Sequence, residues 1–209
     1  IFVSVRNGLL RKISYEGEVS TFSSGFNHPY GLSVDQEGNI YLADTYNGRI
    51  VKIDSDGSKS NFITGILNPS DVKIDRYNHI YITEGHKVVK YKSDGELIWS
   101  IGGEDHSLIN GKFDEVKFSG PTGITFDNEN NVYVADNGNH VIRKIDQDGF
   151  VSTFAGSGVS GYTDAQGHEA KFYHPSGIVF FGNDTFFVAD QRNHVIRKIK
   201  IIDNHTYQE

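Results

Sequence analysis

Four prolines, the only ones in 209 residues, mark one motif: Pro29, Pro69, Pro121 and Pro175 each stand fifteen residues ahead of an acid, namely Asp44, Glu84, Asp136 and Asp190. They lie 40, 52 and 54 residues apart, so the chain is a tandem repeat before it is anything else. Each acid is followed by a short apolar and basic segment: RIVKI at 49–53, KVVKY at 87–91, and VIRKI at both 141–145 and 195–199. LLRKI at 9–13 is a further copy without its proline, which leaves Ser4 in the acid's place and starts the chain inside a repeat. Four residues beyond the segments at 9–13, 49–53, 87–91 and 141–145 stand Gly17, Gly57, Gly95 and Gly149.

Each unit reads as four short strands rich in Val, Ile, Phe and Tyr, parted by Gly, Asn and Asp turns, with no run of helical period. Such units in tandem predict an all-β chain, a β-propeller of four-stranded blades around a central channel. A β-sandwich would explain the strands but not the repeated offset from proline to acid. The unit boundaries fall at about 1–28, 29–68, 69–120, 121–174 and 175–209, within a single propeller domain. Three strands precede Pro29, four fill each of the next three units, and about three follow Pro175, so the chain supplies about five blades. The first lacks an inner strand and the last an outer one. With no methionine and an opening Ile1-Phe2-Val3 that already reads as strand, the chain is expected to be a fragment or a processed product.

The repeated residues have structural roles to fill. Gly31, Gly123 and Gly177, two after their prolines, suit close backbone approach at the axis, where Asp71 departs from the rule. The acids are placed to accept turn N–H groups, and Asn7, Asn47, Asn139 and Asn193 to take a left-handed turn position. Arg143 and Arg197 should point between blades toward Asp136 or Asp190, while Phe118 and Phe172 should plug blade junctions.

The segments ADNGNHVIRKI at 135–145, ADQRNHVIRKI at 189–199 and ADTYNGRIVKI at 43–53 closely resemble the NHL repeat, with Asn139-His140-Val141 and Asn193-His194-Val195 in the place of its Asn-His-Leu signature. The resemblance covers essentially the whole chain and is weakest around Glu84. It implies a six-bladed ring. For function it implies several things, since NHL-type propellers include scaffolds, adhesion-receptor modules, RNA-binding modules and a metal-dependent amidating lyase.

Composition narrows these. Lys and Arg number 20 against 27 Asp and Glu, a net charge of −7, which argues against nucleic acid as a partner, and no clustered basic run offsets it. No apolar run is long enough for membrane insertion. The absence of cysteine removes thiolate catalysis and Cys-ligated zinc. His28 and His174, each just before a repeat proline, are the metal candidates; the resemblance to amidating lyases implies zinc, although only two histidines are in register. A lactonase-like calcium site would need inner-strand acids, and there Asp71 alternates with Lys73, a pattern that also makes an ion pair. No Ser–His–Asp grouping or phosphate-cradling motif stands out; Gly156-Ser157-Gly158 reads as loop.

The expected function is therefore non-catalytic: a scaffold or interaction module without cofactor, binding a protein partner or a neighbouring domain of a longer chain. The alternative is a metal-dependent hydrolase or lyase using zinc or calcium in the channel. Two long connections of equal length, 101–120 and 155–174, match at an offset of 54, and their glycine-rich stretches 103–110 and 157–164 are expected to be free and to form the binding rim. Asp105, His106, Tyr162 and Asp164 are its candidate residues.

Overall fold

The structure, a computed structural model, describes residues 1–113 and 115–202. One glycosylation acceptor pattern of the sequence, Asn204-His205-Thr206, lies outside them.

Strands form where β-branched and aromatic residues alternate, and they meander into five antiparallel sheets. Blade 1 holds β1 (Phe2–Val5), β2 (Leu9–Ile13) and β3 (Val19–Ser24); blade 2 holds β4 (Pro29–Val34), β5 (Ile40–Asp44), β6 (Arg49–Ile53) and β7 (Lys59–Thr64). Blade 3 comprises β8 (Asp71–Ile74), β9 (Ile80–Glu84), β10 (Lys87–Tyr91) and β11 (Leu97–Gly102). A two-residue strand, β12 (Gly111–Lys112), comes next in the chain and joins the outer edge of blade 4, whose own strands are β13 (Pro121–Phe126), β14 (Val132–Asp136), β15 (Val141–Ile145) and β16 (Phe150–Ala155). Blade 5 has β17 (Pro175–Gly182), β18 (Thr185–Asp190) and β19 (Val195–Lys200). The chain is thus a five-bladed portion of a β-propeller, with the inner strand missing from blade 1 and the outer strand from blade 5 among the described residues.

The five blades bury four apolar clusters, one at each junction. Leu10, Leu42 and Ile53 fill the first junction, and Ile50, Val72 and Ile82 the second. Val88, Ile124 and Val134 fill the third, and Tyr133, Phe186 and Val188 the fourth. Each such side chain is worth about 1.5–3 kcal/mol when fully buried, so the stack of blades is held face to face by these layers. Phe118 and Phe172 sit in the third and fourth clusters, where the sequence placed them. Phe26 and Ile66, also three residues before a proline, pack at the first and second.

At the axis, β4 packs on β8, β8 on β13 and β13 on β17. A Cβ on Gly123 would lie 2.6 Å from the carbonyl of Ser176, and one on Gly31 would overlap Asp71, which explains the glycines. A Cβ on Gly177 would meet only Ala189 of its own blade, at 3.7 Å. Two sequence expectations need correction. The turn after β1 is one residue shorter than those after β5, β14 and β18, so Val5, which pairs with Leu9 as Asp44 pairs with Arg49, takes the acid's register in place of Ser4. In all four Asn-containing turns the left-handed residue is the one after the asparagine, not Asn7, Asn47, Asn139 or Asn193: Gly8, Gly48, His140 and His194 have φ of 89°, 59°, 59° and 56°.

Candidate functional site

The turns after the second strands and the loops entering the inner strands meet on one face, and the four acids join them. Asp44, Asp136 and Asp190 accept the backbone N–H groups of Asn27, Ser119 and Tyr173 at 2.6, 2.8 and 2.7 Å, and Glu84 accepts that of Leu67 at 3.3 Å. The side-chain amides of Asn47, Asn139 and Asn193 donate to the other oxygen of each aspartate at 2.9, 2.8 and 2.8 Å. This is why asparagine stands here: it caps the acid, while the following residue carries the strained backbone. The motif that recurs most strongly is thereby spent on holding loops to blades.

His28 and His174 sit at the equivalent place in two blades, both with φ of 52°, as do Asn68 and Gly120 at 45° and 57°. Their position is a left-handed hinge before the proline. The His28 ring stacks on Tyr46 with centroids 4.4 Å apart. His174 has its Nδ1 2.7 Å from Asn137 Oδ1, and its backbone N–H donates to His140 Nδ1 at 3.2 Å. Burial, aided by the charge of Arg192, holds the His174 ring below the ordinary histidine range. In the channel, a cavity of about 290 Å³ is lined by Tyr30, Ser70, Asp71, Thr122 and Ser176 among others. Asp71 accepts the ammonium of Lys73 at 3.0 Å and the N–H groups of Val72 and Ile124 at 2.9 and 3.1 Å; burial pushes its carboxyl up, and the Lys73 charge chiefly opposes the rise. It is the ion pair that alternation on the strand allows. Asp71 is engaged by Lys73 and two backbone N–H groups, and among the described residues no group of three or more His, Asp or Glu suited to an ion gathers around it or around either histidine.

The long connections are built around arginines. Arg143 donates to Asp136 at 3.0 Å, to the carbonyls of Lys117 and Ile109 at 2.9 and 2.8 Å, and to Asn110 Oδ1 at 3.0 Å. Arg197 repeats this on Asp190 at 3.0 Å, on the carbonyls of Lys171 and Thr163 at 3.0 and 2.9 Å, and on Asp164. Phe118 lies against the Arg143 guanidinium at 5.0 Å, and Phe172 and Tyr162 both lie 5.0 Å from that of Arg197. The stretches expected to be free are therefore pinned at 109–110 and 163–164; Asn139 adds a hydrogen bond to the Ser107 carbonyl at 2.8 Å, and the N–H groups of Ser157 and Gly161 donate to the carbonyls of Ala170 and Phe172 at 2.9 and 3.0 Å.

Of the candidate rim residues, Tyr162 and Asp164 come together on Arg197. Asp105 instead pairs with Lys117 at 3.3 Å, and His106 packs edge-on to His86 at 3.8 Å. The two loops touch where Leu108 approaches Gly158. Leu108, Ile109, Val159 and Tyr162 are exposed along this stretch. Leu108, Ile109 and Val159 were not singled out by sequence; their signal is an apolar residue inside a glycine-rich loop, where no core needs it.

Comparison with known proteins agrees with this architecture. The NHL repeat family matches residues 26–53 and 118–145, each running from the junction plug to the end of the third strand, and the chain carries NHL repeats. NHL repeat-containing protein 2 of Bos taurus is 40% identical over 100 residues, and that of Gallus gallus 36% over 99; in both the match spans 46% of this chain and 14% of the relative. The chain thus corresponds to a small part of much longer relatives. Among solved structures, an auxiliary nutrient binding protein from Bacteroides thetaiotaomicron superposes with a TM-score of 0.80 at 23% identity over 92% of this chain and 53% of its own. A streptogramin B lyase superposes with 0.59 at 15% identity, over 94% of this chain and 63% of its own. These likenesses establish the fold. Among the described residues no helix is long and apolar enough to cross a membrane.

Proposed function

We propose that this NHL-repeat β-propeller is a non-catalytic interaction module, part of a longer chain or assembly, that captures a protein partner on the rim formed by 103–110 and 157–164. The observation that carries the reading is the rim itself: two loops of one design, anchored on Arg143 and Arg197, touch each other and expose Leu108, Ile109, Val159 and Tyr162. A rigid base under exposed apolar and tyrosyl side chains is what protein interfaces use, since little ordering entropy is lost on contact. Asp105 and His106 border the same rim, engaged by Lys117 and His86. A metal-dependent hydrolase or lyase in the channel would first have to free Asp71 from Lys73 and to find further ligands beside it or the histidines.

The double variant Leu108→Asp, Val159→Asp tests the reading without touching the arginine anchors. With the fold intact by circular dichroism, capture of the partner by the longer protein should fall at least about tenfold, as expected when apolar contacts at an interface centre become charged. Undiminished capture would move binding to another face.

A further inference from the structure

The turns after β9 and β14 each end in a histidine, His86 before β10 and His140 before β15. The Nδ1 atom of His86 accepts the backbone N–H of Gly120 at 2.9 Å, and that of His140 accepts the N–H of His174 at 3.2 Å. In both blades a ring nitrogen thus holds the residue that stands before the next repeat proline. A ring nitrogen that accepts must carry a lone pair, so the bond exists only while the ring is neutral with its proton on Nε2.

The two turns differ in what lies on the histidine. His106, from the rim stretch 103–110, packs edge-on to His86 with ring centroids 3.8 Å apart. At the offset of 54, Ser160 stands in the place of His106, and the rings against His140 are those of Tyr173 and His174, outside 157–164. A histidine pair therefore seats the first rim loop and not the second.

We propose that His86 and His106 form a proton-operated latch, which seats the loop 103–110 while both rings are neutral and releases its first half, 103–106, when they are protonated. The proposal rests on the reading of this stretch as part of the binding rim and adds its regulation: the rim is whole at neutral pH and loosened in acid.

A proton on His86 Nδ1 would face the Gly120 N–H donor to donor, and a charge on either ring would face the other. Among the described residues the acids around the pair are committed elsewhere or open to solvent. On the turn itself, Glu84 accepts the Leu67 N–H at 3.3 Å and lies in the field of Lys87. In the loop, Asp105 pairs with Lys117 at 3.3 Å and Glu104 is exposed. Beside Gly120, Asp136 accepts the Ser119 N–H at 2.8 Å and pairs with Arg143. Burial holds the His86 ring below the ordinary histidine range, and the charge of His106 lowers it further. A histidine lowered in this way gives stability that is whole above the ordinary value of about 6.5 and is lost as the pH falls below it toward the folded value. The loop yields at its first half because 109–110 stay on Arg143 and Ser107 on Asn139. Leu108, which reaches toward Gly158, then loses its support on one side.

Nuclear magnetic resonance of the 209-residue protein, between about pH 7.5 and about pH 5, spans the titration of such a pair and tests the latch. With intrinsic exchange rates divided out, the protection of the Gly120 amide should fall at least about tenfold in acid, while that of Ser119, whose acceptor is Asp136, should change less than about twofold. Nitrogen-15 relaxation should show the backbone of 104–106 becoming mobile over the same range. His86→Asn offers an amide oxygen in place of Nδ1 and takes up no proton, so Gly120 should stay protected and the loop ordered throughout. His106→Gln should move the midpoint of His86 up, because it removes the opposing charge. Gly120 protection unchanged in acid, acid release that survives His86→Asn, or a His86 midpoint indifferent to His106→Gln overturns the latch. These readouts need no partner, so the two readings fall separately. Undiminished capture by Leu108→Asp, Val159→Asp with acid release of 103–106 removes the rim and keeps the latch; lost capture with an acid-insensitive loop removes the latch and keeps the rim.

Discussion

Arg143 and Arg197 occupy the same place in the same VIRKI strand and hold equivalent sets of groups, yet one is sealed and the other borders a groove. Arg143 and Asp136 are wholly buried under the 109–110 loop and Phe118, and the Arg143 Nε has no hydrogen-bond partner among the described residues. Arg197 keeps 8% exposure, and its second carboxylate, Asp164, is 81% exposed. The blade surfaces differ in the same sense. Tyr133, Ala135 and Ile142 of blade 4 are buried against blade 5, whereas Val179, Phe181 and Ile196 of blade 5 are exposed. The repeat thus writes the contacts inside a blade, and the neighbouring strand or blade decides how dry they are.

Removing the arginines should separate the two settings most. Arg143→Ala strands a fully buried aspartate and should cost about 3–5 kcal/mol, whereas at Arg197 water can enter from the groove and the loss should be nearer 1–2 kcal/mol, the scale of a hydrogen-bonded group left to solvent. Urea unfolding of both variants checks the difference, and equal losses would break the comparison. A smaller contrast is expected at the axis. Gly123→Ala drives a methyl into the Ser176 carbonyl and should cost about 1–3 kcal/mol by overpacking, while Gly177→Ala, with open space beyond it, should stay within about 0.5 kcal/mol. Thermal denaturation of the pair would show it, and a comparable penalty at Gly177 would mean that another strand crowds it.

Much of this was legible in the chain. The shared offset from proline to acid gave the blades, the strand count and the two missing strands, and the recurrence of VIRKI beside an aspartate gave the arginine pairs. Phe118 and Phe172 were readable as plugs because an aromatic residue at a fixed distance from proline in a long loop has a junction to fill. Other features depend on geometry that composition does not carry. A one-residue shortening of the first turn moved the acid's register from Ser4 to Val5, and the left-handed burden fell on His140 and His194 because the asparagine side chain is occupied by the acid. The anchoring of 103–110 and 157–164 was hidden because arginine reaches backbone carbonyls, which leave no residue signature. Of the four rim candidates, the sequence grouped Asp105 and His106 with Tyr162 and Asp164, while the fold holds Tyr162 and Asp164 together on Arg197 but Asp105 on Lys117 and His106 against His86.

Amide hydrogen exchange on the 209-residue protein tests the central contrast between a closed and an open junction most directly. A strand paired on one edge leaves alternate amides facing the open side, so the amides of β19 that face away from β18 should exchange at least about a hundredfold faster than their counterparts in β15, a difference of roughly 2.7 kcal/mol in opening free energy. The amides of β19 that face β18 should remain protected. Equal protection of β15 and β19 throughout would contradict the account, because it would place a strand on the edge of β19 that the described residues leave open.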